Sequence, residues 1–238
     1  MLRPVPTNGA FVGTYPTDVP VVGTRVAVLG YPEWEAGDVS DADRERWDAR
    51  HAAAGPLRAS PPGAVMGAPG LVEEFPTAGR GLDVACGRGG VAVWLAGRGL
   101  AVDAVDISPS GLAAGARLAA AHGVDDRIRW IAHDLDRGLP AVCAGPYDVV
   151  VCQLFRDPAC YGGLRAAPAP GGLLAVTVLS EVGAAPGPFR APPGELRAAF
   201  NGFELLLDRE SDGEATLLAR APCRLPVPGS PPGPRRRS

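Results

Sequence analysis

Residues 81–90, Gly-Leu-Asp-Val-Ala-Cys-Gly-Arg-Gly-Gly, place an acid inside a short apolar run and then break the run with glycines. By position the pattern is Asp83-x-Ala85-x-Gly87-x-Gly89. Glycines between a strand and a helix let backbone N–H groups approach a ligand closely. Asp106 closes the next apolar run, and Asp134 closes the one after it. A backbone-lined turn with acids at successive strand ends is equipped to hold a polar, nucleotide-like molecule. Spacing bears on which one. A dinucleotide turn is Gly-x-Gly-x-x-Gly with pyrophosphate on the helix N-terminus. Here Ala92 stands three residues after Gly89, a relaxed match only.

Alternating strands and helices must position these residues. GLDVAC reads as a short strand, and GGVAVWLAGRG as a helix with Val91, Trp94 and Leu95 on one face and Gly99 to stop it. LAVDAVDI is a second strand. Ser108 then caps a helix that starts on Pro109 and runs to Gly123. RIRWIAHD is a third strand. YDVVVCQLF is a fourth, with the continuous apolar run of a buried parallel strand. PAPGGLLAVTVL supplies a Pro-Gly-Gly turn and a fifth strand, and GELRAAF a short helix. GFELLLDRESDGEATLLARA gives two strands about Ser-Asp-Gly, hence an antiparallel pair. Upstream, DADRERWDARHAAAG predicts a helix with Trp47 and His51 at i,i+4 and Gly55 at its end. PLRASPPGAVMGAPG predicts a loop or broken helix, and TRVAVLGY a strand with no evident partner. The expected class is α/β, a Rossmann-like three-layer sandwich with a mostly parallel sheet and an antiparallel C-terminal hairpin. The expected divisions are an extension over 1–40, one domain over 41–220 and a Pro/Gly/Arg tail over 221–238 that cannot bury enough surface to order itself.

The Asp83–Gly89 pattern resembles motif I of the class I S-adenosylmethionine (SAM) dependent methyltransferases, Asp/Glu-x-Gly-x-Gly-x-Gly, with Ala85 at the first glycine. The resemblance extends over roughly residues 41–220. It implies a seven-stranded sheet in the order 3-2-1-4-5-7-6, counting from GLDVAC, with SAM as cofactor and S-adenosylhomocysteine (SAH) as product. It implies that Ala85, Cys86, Gly87, Arg88 and Gly89 line the homocysteine-ribose part of the cofactor through their backbone. Asp83 would orient the turn near the methionine end. Asp106, followed by Ile107, would accept both ribose hydroxyls in charge-assisted hydrogen bonds. Asp134 would cap the adenine amino group, with the Leu135 N–H meeting the ring. Gln153 and Leu154 would flank the cofactor from the fourth strand.

DRERWDARH is similar to the Trp-x-x-Arg-Tyr/His helix of small-molecule methyltransferases, including the tellurite-resistance (TehB-like) and thiopurine-type groups. In those groups the helix covers the cofactor pocket, which implies Arg50 for the methionine carboxylate and His51 for the substrate side. The plain reading of the same residues is a surface helix with a solvated Arg50 and a packed Trp47. The implied reaction is methyl transfer to a small-molecule acceptor by in-line displacement, driven by proximity. No catalytic residue is singled out, because a base is needed only if the acceptor carries its proton. Acceptor-side candidates after the fourth strand are Gln153, Phe155 and Arg156, the last able to attract an anion such as a chalcogen oxyanion. CQLFRDP stands where an Asn-Pro-Pro-Tyr box would be, which argues against adenine-N6 or glutamine methylation.

Composition narrows the partners. Net charge is −3 and aromatics are 6%, so neither a basic face nor stacking platforms for nucleic acid are expected. Five cysteines without a CxxC pair argue against a metal site or a disulfide framework. No apolar run is long enough to span a bilayer, and MLRPVPTNGA lacks a signal core. The expectation is a cytoplasmic protein with a small-molecule substrate, no nucleic-acid partner and no membrane. Three alternatives stay open: a SAM- or SAH-binding module without efficient catalysis, a methyltransferase of a macromolecule, and a nicotinamide oxidoreductase.

Overall fold

A computed structural model of the chain describes residues 26–27, 39–66, 68 and 70–223. The mixed sheet contains β1 (Val26–Ala27), β2 (Arg80–Val84), β3 (Ala101–Asp106), β4 (Ile128–Ala132), β5 (Tyr147–Gln153), β6 (Pro168–Leu179), β7 (Glu204–Ser211) and β8 (Glu214–Arg220). Their order is β1-β4-β3-β2-β5-β6-β8-β7. Setting β1 aside, this is the expected 3-2-1-4-5-7-6 sheet. All pairs from β4 to β6 are parallel, and β8 runs antiparallel to both β6 and β7. The strand within TRVAVLGY is two residues long and finds its partner in β4, opposite Trp130 and Ile131. The rest of the expected 1–40 extension, up to residue 38, and residues 224–238 of the expected tail lie outside the described residues.

The helices are α1 (Val39–Ala53), α2 (Gly63–Met66), α3 (Gly90–Gly97), α4 (Pro109–His122), α5 (Tyr161–Ala166) and α6 (Glu195–Ala199). One side of the sheet packs Leu82, Val150 and Val176 against Tyr161, Leu164, Leu196 and Phe200 of the α5–α6 half. The other side packs Val102, Val149 and Ala175 against Leu95 and Leu112 of α3 and α4. The period-2 alternation of strand side chains thus feeds two cores, which makes three layers.

Local chemistry sets the element ends. Ser108 Oγ accepts from the Gly111 N–H at 3.0 Å, Pro109 opens α4, and Gly123 closes it at φ 66°. The β7–β8 turn places Asp212 at φ 54° and Gly213 at φ 83°, the primed-turn conformation whose twist suits a two-residue hairpin. The expected Pro-Gly-Gly turn is instead absorbed into β6 as an irregularity: Tyr147 pairs with Pro168, then Val149 with Leu173. Among the described residues no helix is long and apolar enough to cross a membrane.

Candidate functional site

Strand order reverses at β2, whose neighbours β3 and β5 lead away in opposite directions. Open α/β sheets bind ligands in the crevice beyond the carboxyl ends of the strands at such a point. The turn from β2 into α3 lies there. Gly87 sits at φ 55° and Gly89 at φ 71°. Ala85 sits at φ 54°, in the left-handed region that costs an L-residue roughly 1–2 kcal/mol. The backbone therefore takes the glycine conformation at the position where Ala85 replaces the glycine of the motif. A side chain on Gly89 would stand 2.3 Å from the Trp130 ring, so only glycine lets the turn lie flat on β4.

Asp106 braces this turn. One carboxylate oxygen accepts from the Gly87 N–H at 2.7 Å and the other from the Ser108 N–H at 2.9 Å. Each oxygen keeps a second lone pair for another donor. Burial raises the carboxyl above its ordinary range, while the two N–H donors and His51 pull it back. Asp83 is 2% exposed, and its Oδ2 has no partner. Burial raises its pKa to about 8, opposed by a hydrogen bond from the Ala92 backbone. Cys86 is raised well above the usual thiol range by burial and then by Asp106, so it stays a thiol and is no nucleophile. Ile107, partly buried, continues the chain from Asp106 to the cap at Ser108.

Helix α1 crosses over the turn. The His51 ring lies where a side chain on Gly87 or Gly111 would go, at 3.3 and 3.0 Å. Burial lowers the His51 pKa, Asp106 opposes this, and Arg88, Asp48 and Arg50 act more weakly. The helix is latched by Asp48: its Oδ1 accepts from the Ser110 N–H at 3.1 Å, the Ser110 hydroxyl at 2.8 Å and the Ser108 hydroxyl. Arg88 donates to the Gly55 carbonyl at 2.8 Å just beyond the C-terminal end of α1. Thus the Arg88 side chain, and not only its backbone, takes part in holding the roof. Arg50 is exposed, with its guanidinium 5.3 Å from the centre of the Trp47 ring. Trp47 and His51 stack at 5.8 Å.

Two strand ends complete the rim. Asp134, after β4, is 6% exposed and caps the turn over Leu135–Arg137 by accepting from the Asp136 N–H at 3.0 Å. Leu135 is buried beside it. After β5, Gln153 accepts from the Gly63 N–H at 2.8 Å and reaches Thr177 Oγ1 at 3.3 Å, which ties α2 and β6 to the strand end. Arg156 is not a free cation: Glu195 takes a hydrogen bond from its Nε at 2.8 Å and pairs with its terminal nitrogen. Tyr161 donates to the same carboxylate at 2.6 Å. An open depression of about 180 Å³ near Asp148, Gly171 and Arg220 lies at the opposite, amino end of the parallel strands and is no part of this site.

The roles of Asp48, Arg88 and Glu195 escaped the sequence because their partners lie 60, 33 and 39 residues away in the chain. Ser110, two residues past a helix cap, was the one hint that a second acceptor approaches the start of α4.

The sheet order, the left-handed turn after its first long strand and the acids at the next strand ends define the class: this is the fold of the class I SAM-dependent methyltransferases. Residues 82–172 match the family model described as a methyltransferase domain. TehB from Haemophilus influenzae is similar in structure at 21% identity and TM-score 0.53, over 60% of this chain and 57% of that one. This chain therefore spans little more than half of TehB. The CcbJ methyltransferase from Streptomyces caelestis aligns with TM-score 0.56 at 19% identity, over 74% of this chain and 96% of the other. Magnesium protoporphyrin IX methyltransferase from Synechocystis PCC 6803, solved with SAH bound, aligns with TM-score 0.56 at 16% identity, over 77% and 100%. No curated protein matches the sequence.

Proposed function

We propose that the chain transfers a methyl group from SAM to a small-molecule acceptor. The observation that carries this reading is the left-handed turn Ala85–Gly89 at the sheet's switch point, braced by Asp106 and roofed by His51. The matched methyltransferase domain supports it. The donor set fits the cofactor. Asp106 keeps unused lone pairs for vicinal hydroxyls, Asp83 holds an unpartnered oxygen behind the turn, and Asp134 and Leu135 stand at the next strand end. When bound, SAM supplies an electrophilic methyl group on a sulfonium.

The protein's own part is to hold, orient and exclude water. The Gly87 and Gly89 turn lets backbone approach closely, while Asp106 would hold the ribose end in charge-assisted bonds. Helix α1, held by its Asp48 latch, covers part of the turn, where Gly89 is buried and residues 85–88 are partly exposed. His51, neutral at pH 7 because of its burial, adds no charge beside a cationic cofactor. Arg50, expected at the methionine carboxylate, lies over the Trp47 ring.

Calorimetric titration with SAH and, in parallel, NADH tests the reading. The expected result is micromolar SAH binding, none for NADH, and at least about tenfold weaker SAH binding by Asp106→Ala. Circular dichroism of the variant checks that the turn still folds. Preference for NADH, or equal SAH binding by a folded Asp106→Ala, would sink the proposal.

A further inference from the structure

The acceptor side of the site is apolar where it meets solvent. Leu154 directly follows β5 and is 60% exposed. It stands at φ 57°, a left-handed conformation that is an outlier for a bulky side chain. Such strain is kept where surrounding structure imposes it, and it concentrates at binding sites. Here the Leu154 N–H is fixed by the Thr177 carbonyl of β6 at 2.7 Å. Phe189 is 65% exposed and belongs to the segment that follows β6. That segment is pinned back to the same strand end, the Ala191 N–H donating to the Leu179 carbonyl at 2.7 Å. Leu154 thus sits at the carboxyl end of β5 and Phe189 two residues before the contact with the carboxyl end of the adjacent β6, at the end of the sheet where the cofactor crevice opens.

The polar groups of this rim are spent on the protein itself. The Gln153 amide is engaged by Gly63 and Thr177. The Arg156 charge is matched by the Glu195 carboxylate, with Glu181 a second acid in its surroundings. An anion arriving here would meet the Glu195 carboxylate with the Arg156 guanidinium paired to it, and next to Phe189 the Arg190 guanidinium, whose Nη1 is taken by the Ser180 and Gly213 carbonyls. An uncharged apolar molecule would cover two large exposed side chains at no such cost.

From the strained Leu154 and the exposed Phe189 beside a self-paired Arg156, we infer that the site takes a neutral, largely apolar small molecule as its acceptor, and not an oxyanion. This rests on the methyltransferase reading above, and its test is chosen to fail separately. The neutral fluorophore N-phenyl-1-naphthylamine is titrated into the full chain with saturating SAH, then displaced with 4-methylphenol or with tellurite. Expected are enhanced fluorescence, displacement by 4-methylphenol only, and at least about tenfold weaker probe binding by Leu154→Asn/Phe189→Ser. Asparagine tolerates the left-handed conformation, so this variant keeps its fold. Sedimentation is run on both proteins. No enhancement, unchanged probe binding in the variant, displacement by tellurite, or a variant that alters only self-association would each overturn the inference. SAH binding, measured by calorimetry, is expected to be unchanged in the single variant Phe189→Ser, which keeps Leu154, expected to flank the cofactor, in place. Its absence from the wild type would count against the cofactor assignment, whereas the probe result reads the apolar rim directly.

Discussion

Asp83 gives the most direct test of the electrostatics beneath the turn. Its carboxyl is 2% exposed, has an unpartnered Oδ2, and is raised by burial to about 8. Unfolded, an aspartate titrates near 3.9. The folded state thus keeps a proton that the unfolded state gives up. Stability is fully present below the unfolded value and is lost as pH rises through the window from about 4 to about 8. Four units at 1.36 kcal/mol each set a ceiling of about 5 kcal/mol on that loss. Asparagine has the shape of the protonated acid, retains an oxygen for the Ala92 N–H and cannot ionise. Urea unfolding of wild type and Asp83→Asn at pH 5, 6, 7 and 8 reads the effect directly. The variant's advantage is expected to grow by roughly 1 kcal/mol per pH unit and to reach about 3–4 kcal/mol between pH 5 and pH 8, with equal m-values. Parallel pH profiles for the two proteins would show that Asp83 is ionised when folded, and the reasoning would be wrong.

Three further outcomes are expected. Gly115→Ala would put a Cβ 2.4 Å from the Trp130 ring, so it should cost roughly 1–3 kcal/mol in urea unfolding although alanine favours helices; unchanged stability would mean that the ring has room to move. Asp48→Ala removes the acceptor shared by Ser108 and Ser110 while leaving the Ser108 cap of α4 in place, so amide exchange should speed up over residues 39–53 and stay unchanged over β5 and β6. Glu195 is held below the ordinary carboxylate range: burial raises it, and the bonds from Arg156 and Tyr161 outweigh burial. Its contribution is present above the unfolded value and lost as pH falls through the folded one, so Glu195→Gln should lose roughly 1–3 kcal/mol at pH 7 and show a shallower acid limb than wild type.

Much of this architecture is written locally. The Ser108-Pro109 start and Gly123 stop of α4, the Asp212-Gly213 hairpin and the apolar run of β5 are decided by residues next to one another, and each is found where the chain places it. The glycine turn after β2 is legible for the same reason, since left-handed backbone is a property of single residues. The order of the seven long strands followed from the resemblance those local pieces carry. What tertiary structure alone decided is which side chains meet. His51 lies over Gly87 because α1 docks through Asp48 onto residues 108 and 110, a contact no local preference encodes. Arg156 looks like a free cation until Glu195, on a helix that follows the next strand, neutralises it. The physical reason is common to both. Secondary structure responds to neighbours in the chain, whereas burial, pairing and charge depend on neighbours brought together only when both cores close around the sheet.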